Sequence, residues 1–319
     1  MKKIRALFVN TSSSGVSFWR MFNFWPAAVR TGVMDIAMPF WQKDCSESHP
    51  WQTDMRNVEL KHAYLGKLGA CLREADVCVF QMAHFRDALN VFLSMRDAYE
   101  EVRVPMVAEC DDNYRNTPAY NPASVSYSPG TEHRDVATKQ FKLADAMVVS
   151  TPGLKDIYSD YNEHIYVVPN SIDFAVWGTA KSRKKRKPGI LIGWAGGANH
   201  DHDLRVMEPV VKRILAKYRD VRFVFVHGVP NYLKGIPGVE VVQKFVPINH
   251  YPSFLASQDF NIGIAPLEDN AFNACKSNLR WLEYSSLGIP TVASRVGHFA
   301  QTINHGVDGF LVDTSSKPK

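Results

Sequence analysis

Short apolar runs recur along the chain, separated by stretches in which apolar positions return at helical spacing. In the first half the runs fall at 4–9, 34–40, 76–81, 105–109, 145–150 and 165–169. In the second half they fall at 189–194, 222–227, 239–242, 260–265, 290–294 and 309–313. Strands that are apolar throughout, joined by helical crossovers, are what a parallel sheet covered on both faces requires. The alternation therefore predicts an α/β protein with two doubly wound parallel sheets. The expected division is a first domain over 1–177, a basic linker over 178–188 and a second domain over 189–319. In such sheets ligands bind beyond the carboxyl ends of the strands, so the residues that follow each run are the candidates for chemistry.

The richest of these stretches is 269–294. Ser277 or Asn278 is placed to cap a helix whose Leu279, Leu282 and Leu287 recur at helical spacing and are expected to face a core. Gly288 suits the residue just past the helix end, and Pro290 prevents the helix from resuming. Lys276 then sits beside a helix N-terminus, where free N–H groups and the helix dipole favour an anion. Glu283, off the apolar stripe, is placed to accept hydrogen bonds from sugar hydroxyls. Earlier, Gly193, Gly196 and Gly197 follow a strand and form a loop able to cradle a diphosphate. His200 or His202 can add positive charge there. Their His-x-His spacing also suits zinc, but no further ligands follow at fitting spacings.

The first half offers weaker signals. The segment 10–20 is a loop of small hydroxyl residues in which Gly15 allows close backbone approach to a ligand. Arg20, about a turn into the next helix, is in reach of a phosphate or an acceptor. One glycine makes neither a dinucleotide fingerprint nor a P-loop. His84 and Arg86 follow the third run. Glu109, Asp111 and Asp112 close the fourth, where gathered carboxylates bind something or face water. Asp111 or Asp112 either orients or deprotonates an acceptor hydroxyl or caps the next loop. The segment 116–130, rich in Pro and Tyr, reads as a long loop with a recognition role.

The stretch 269–294 resembles the donor-binding segment of retaining glycosyltransferases of the GT-B fold, above all family 4. Glu283 matches the second of two glutamates that many members carry eight positions apart, and 288–294 matches the Gly-x-Pro and strand that follow. Cys275 stands where the first glutamate would be. Divergent bacterial and phage-type members carry a Lys-Ser pair here, as Lys276 and Ser277 do. The segment 167–173 is similar to the one that ends the first domain in that family. The resemblance implies two Rossmann-like domains facing a cleft, the first on the acceptor side and the second holding a nucleotide sugar such as a UDP-, GDP- or dTDP-sugar. It implies a metal-independent transfer with retention and no protein nucleophile, in which Lys276 stabilises the departing diphosphate. His84, Asp111 and Asp112 join Lys276 as catalytic candidates. Gly15, Arg20, Gly196, Gly197, His200, Ser277, Asn278 and Glu283 join it as donor-binding ones. A non-catalytic nucleotide-sugar-binding relative, and an enzyme of isomerisation or phosphorolysis on the same fold, are the alternatives.

Composition narrows the setting. Of 319 residues, 45% are hydrophobic and 22% charged, as in a soluble globular protein. No apolar run is long enough to span a bilayer. Five widely spaced cysteines form no Cys-x-x-Cys pair, which suits a reducing cytoplasm better than a disulfide framework. A net charge of +5 permits a polyanionic partner without requiring one. The run 181–187 is lysine- and arginine-rich, and Tyr114, Tyr120 and Tyr127 lie in or near the long loop. These features keep a hydroxymethylated base in DNA among the acceptors, beside a surface glycan or a lipid.

Overall fold

Strands form at each of the twelve apolar runs, in two six-stranded parallel sheets. The computed structural model describes residues 3–11, 15–37, 58–97, 104–180, 188–197, 200–244, 246–247 and 250–314. The expected strand positions 38–40 and the basic run 181–187 lie outside the described residues. The chain divides into two units, Met1–Ser171 and Ile172–Lys319.

The first unit contains β1 (Ile4–Val9), β2 (Met34–Ala37), β3 (Val77–Gln81), β4 (Met106–Cys110), β5 (Ala146–Val149) and β6 (Ile165–Val167). Their order is β2-β1-β3-β4-β5-β6. Leu7, Val9, Phe80, Met106, Ala108, Met147 and Val149 are fully buried, which is why these strands read as unbroken apolar runs. The segment 116–130 is less open than its composition suggests. It folds into consecutive turns and the short helix Ser124–Tyr127, with the Asn121 N–H donating to the Pro118 carbonyl at 2.8 Å.

The second unit contains β7 (Ile190–Ala195), β8 (Val221–Val226), β9 (Val239–Val242), β10 (Ile262–Ala265), β11 (Thr291–Ser294) and β12 (Phe310–Val312). The order β12-β11-β10-β7-β8-β9 grows from β7 through β8 and β9, then reverses to place β10 on the other side of β7. The crevice at such a reversal is where open α/β sheets bind ligands. The loops that leave β7 and β10 therefore define the site of this unit.

The helix Leu279–Ser286 lies against β10 and β11. It ends as expected, with Gly288 at φ +68° and the Ile289 N–H donating back to the Tyr284 carbonyl at 2.9 Å. Its buried face differs from the expected one. Leu279, Leu282 and Leu287 are only half-buried, whereas Glu283 and Tyr284 are buried. The reason lies in the sheet. A Cβ on Gly263 would come within 2.4 Å of the Tyr284 ring, and one on Gly193 within 2.2 Å of Phe260. Two glycines thus leave a hollow in β7 and β10, and Phe260 and Tyr284 fill it edge to face. The Tyr284 hydroxyl accepts the Ala195 N–H at 3.1 Å, which fixes the helix to the end of β7.

Cys78 and Cys110 are fully buried, and burial pushes both thiols well above their ordinary pKa. Cys275 is also buried, and Cys71 is half-buried. Among the described residues no helix is long and apolar enough to cross a membrane.

Gly263→Ala is expected to destabilise the fold by about 1–3 kcal/mol, because the methyl meets a ring that has no room to move. Gly197→Ala, whose methyl meets nothing within 4 Å, is expected to stay within about 0.5 kcal/mol of the parent. Denaturant unfolding of the two variants checks both.

Candidate functional site

The loop after β7 carries Gly196 and Gly197, then a turn containing His200 and Asp203. A Cβ on Gly196 would lie 2.5 Å from the Trp194 ring, so this glycine is required by packing. Gly197 faces open space, so its backbone can be approached closely. Asp203 is buried and joins the two loops. Its Oδ2 lies 2.8 Å from His200 Nδ1. Its Oδ1 accepts the Glu268 N–H at 2.9 Å and the Asn273 side-chain amide at 2.7 Å. Asn273 also donates to the Glu268 carbonyl, and Glu268 Oε2 lies 3.1 Å from His202 Nδ1. The β7 loop and the β10 loop are thereby one hydrogen-bonded body.

Lys276 leaves that body immediately before the helix Leu279–Ser286, its Nζ 4.3 Å from the centre of the Phe272 ring. A cation–π contact of this kind helps hold the ammonium in place. Asn278 occupies the N-cap position but makes no side-chain cap. Its ψ of 19° departs from the extended geometry that aims a cap at the helix amides, and its Nδ2 reaches Thr302 Oγ1 at 3.4 Å instead. Its Oδ1 is buried with no partner. From the other side, Gly297 packs on the same loop at φ +52°, where a Cβ would lie 2.5 Å from the Ala274 carbonyl. His298 follows, buried, with no partner on Nδ1, and burial lowers its pKa.

Glu283 is buried against Arg280, which hydrogen-bonds its Oε2 and also donates to the Tyr251 hydroxyl at 3.1 Å. Burial pushes the Glu283 carboxyl up to about 7, with Arg280 and Tyr251 opposing the shift. Tyr251 stacks near His227, whose φ of +69° turns the chain sharply after β8. These contacts make a shelf of Tyr251, His227 and Arg280 beside Glu283.

In the first unit the expected residues gather at the carboxyl ends of β1, β3 and β4, around the reversal between β1 and β3. Gly15 opens the first helical turn, facing open space. Arg20 is buried in a π-helical turn, Phe18–Phe22. Its Nε donates to Glu109 Oε1 at 2.6 Å, and its Nη1 donates to the Val168 carbonyl and Asn170 Oδ1. The guanidinium thus ties together three strand ends of its own unit. Gln81 fastens the β1 loop, accepting from the Thr11 N–H and the Ser17 hydroxyl. His84 Nδ1 is hydrogen-bonded to the Tyr127 hydroxyl, and burial, with His133 adding to it, lowers its pKa to about 4. It is a neutral imidazole near pH 7. Asp112 Oδ1 accepts the Asn113 N–H at 3.0 Å, the loop-capping arrangement, while its carbonyl accepts the Tyr158 hydroxyl at 2.7 Å. Asp111 is half-buried beside it, and the Tyr114 and Tyr127 rings lie tilted against each other with centroids 4.2 Å apart.

Sequence reasoning missed Asp203, Asn273, Arg280, His227 and His298. Arg280 alone carried a signal, standing three positions before Glu283 on a helix, the spacing of an ion pair. Among the described residues no group of three or more His, Cys, Asp or Glu is placed to hold a metal ion.

Residues 190–319 match the family of group 1 glycosyl transferases. In three dimensions nearly the whole chain is similar to the catalytic domain of starch synthase IV from Arabidopsis thaliana bound to ADP and acarbose. The TM-score is 0.62 at 10% identity, covering 99% of this chain and 89% of that one. It is similar to Anabaena Alr3699/HepE in complex with UDP and glucose, with a TM-score of 0.60 at 13% identity, covering 98% and 86%. It is also similar to sucrose-phosphate synthase from Thermosynechococcus elongatus, with a TM-score of 0.58 at 13% identity, covering 99% and 87%. No curated protein sequence matches the chain. The two-sheet architecture is the GT-B fold. The second unit is a group 1 glycosyl transferase domain over residues 190–319, which supports a glycosyltransferase.

Because the Glu283 carboxyl is held at about 7 in the fold, the folded state keeps a proton that the unfolded chain releases at an ordinary carboxylate pKa. That contribution to stability is full below the unfolded value and is lost as pH rises through 7. Melting temperature is therefore expected to fall more steeply between pH 5 and 8 in the parent than in Glu283→Gln. Parallel slopes in the two proteins would remove the assigned titration.

Proposed function

We propose that the chain transfers a sugar, with retention, from a nucleotide-diphosphate sugar to an acceptor hydroxyl without a metal. The observation that carries this reading is the joining of the β7 and β10 loops at the sheet reversal into one hydrogen-bonded body with His200, to which the Lys276 N–H is tied through the Asn273 carbonyl. The glycosyl transferase family match over residues 190–319 supports it, as do structural neighbours whose complexes hold ADP or UDP.

In this reading Gly196, Gly197 and His200 line the diphosphate, with Ser277 and Asn278 at the head of the helix. Lys276 stabilises the negative charge that develops on the departing diphosphate, a contribution that matters most in a water-poor site. Glu283 accepts hydrogen bonds from the ribose, and its ionisation near neutrality makes that contact pH-dependent. Tyr251 and His227 offer flat faces to the base. In the first unit His84, Asp111 and Asp112 stand on the acceptor side, and Gly15, expected as a donor contact, lets the backbone approach a ligand. His84, being neutral, acts there as a hydrogen-bond partner, and Arg20 acts through Glu109 as support for the strand ends.

A thermal-shift panel of UDP-, GDP-, ADP- and dTDP-glucose identifies the donor. At 100 times its dissociation constant a ligand is expected to stabilise the fold by roughly 2.7 kcal/mol. Lys276→Ala is expected to lower turnover about 100-fold or more with little change in melting temperature. Near-parental turnover in that variant would take Lys276 out of the site. Transfer of labelled sugar to hydroxymethylated duplex DNA, beside glycan and lipid acceptors and an unmodified DNA control, decides the acceptor class. Transfer to DNA is expected to fall steeply with salt. Binding of a donor with no transfer to any acceptor and no hydrolysis would establish the non-catalytic alternative.

A further inference from the structure

Asp203 is a buried charge of the second unit, and the donor reading above uses only the joint it makes between the two loops. Its Oδ1 is fully used in joining the two loops. Its Oδ2 faces His200 Nδ1 at 2.8 Å. A carboxylate oxygen only accepts, so Nδ1 of His200 carries a proton. The ring is further held edge-on to Trp194, with centroids 6.1 Å apart. Nε2, with no hydrogen-bond partner among the described residues, is the nitrogen left for a ligand. A neutral ring with its proton on Nδ1 presents a lone pair at Nε2, which repels a phosphate oxygen. To bind an anion there, the ring must take a second proton.

We infer that Asp203 is a positioning residue that fixes the His200 tautomer, so that binding of the donor diphosphate is coupled to uptake of one proton from solvent at His200 Nε2. The inference rests on the donor reading above and deepens it. The other charged and titratable groups of this corner are His202 and Glu268, bonded to each other across the loops, and Asp201 and Arg205 near Tyr232. Glu268 and Asp203 are both acidic and favour the charged ring once a ligand has excluded water. Arg205 opposes it from farther along the turn. Coupling of this kind weakens donor affinity by up to tenfold per pH unit as pH rises, as for any ligand that binds one protonation state.

The test is calorimetry with the glucose donor that the thermal-shift panel selects, run at pH 8 in two buffers of different ionisation enthalpy. A nucleotide sugar carries a diphosphate diester with no oxygen that titrates in this range, so any proton counted belongs to the protein. Glu283 has largely ionised at this pH, and subtraction of a His200→Gln titration removes whatever it and the other histidines contribute. The difference between parent and His200→Gln is expected to approach one proton taken up per donor bound. Asp203→Asn separates the two roles of the carboxylate. The asparagine oxygen still accepts from Glu268 and Asn273, while its amide donates to Nδ1 and moves the ring proton to Nε2. That variant is expected to keep its melting temperature while losing the proton uptake. Equal uptake in parent and His200→Gln, or undiminished uptake in a well-folded Asp203→Asn, would overturn the inference. Failure of every donor in the panel to bind would instead overturn the donor reading itself.

Discussion

Seating Tyr284 on a glycine is the constraint on which the second unit depends. The ring occupies the space a Cβ on Gly263 would need, and its hydroxyl takes the last backbone N–H of β7. One side chain therefore sets both the height of the helix Leu279–Ser286 above the sheet and its position along the strands. Lys276 before that helix, Arg280 on its first turn and Glu283 on its second inherit their places from this contact. So does the Gly196–Gly197 turn, because Ala195 directly precedes it. A close-packed interior gives such a contact little freedom to adjust, which turns a packing choice in β10 into a tolerance on the chemistry.

Each unit contains a buried arginine–glutamate pair, and the two differ in purpose. Arg20 and Glu109 are both buried, and the remaining donors of Arg20 hold the chain after β6. Burial raises the Glu109 carboxyl and Arg20 opposes the shift, while Glu109 Oε2 has no partner. A pair of this kind adds little net stability but is costly to break, so it specifies the arrangement of the strand ends. Arg280 is more exposed than Arg20, and Glu283 sits at the balance point between charged and neutral. A carboxyl so placed changes charge with small changes in its surroundings.

The strands were legible because parallel strands buried on both faces must be apolar throughout, and little else in the chain is. The helix stop at Gly288 was legible for the same local reason, since the left-handed turn there admits few other residues. What escaped sequence reasoning depends on partners far along the chain. The leucine stripe of 279–287 looked like the core face until Gly263 opened a hollow for Tyr284. Glu109 looked like one of a cluster of carboxylates waiting for a ligand, and its partner stands 89 positions away. Asp203 sat unnoticed in a His-Asp-His-Asp run because Asn273, 70 positions on, is what gives it meaning. Residue type offers Ser277 or Asn278 as the helix cap, but a cap is a backbone geometry that composition does not reveal.

The burial of the thiols sets which reagents this protein will tolerate. Cys78 and Cys110 lie buried in β3 and β4 of the first unit with their proton held tightly, and Cys275 is enclosed beside the Lys276 loop. Among the described residues only Cys71, on the helix Val58–Arg73, is partly open to solvent. Thiol-directed probes such as maleimide dyes or spin labels will therefore distinguish Cys71 from the three enclosed thiols by reaction rate alone. Replacing Cys45, which lies outside the described residues, leaves that single helix as the point of attachment. The protein thus offers a natural anchor for fluorescence or resonance measurements on the first unit, set apart from the residues assigned to either substrate.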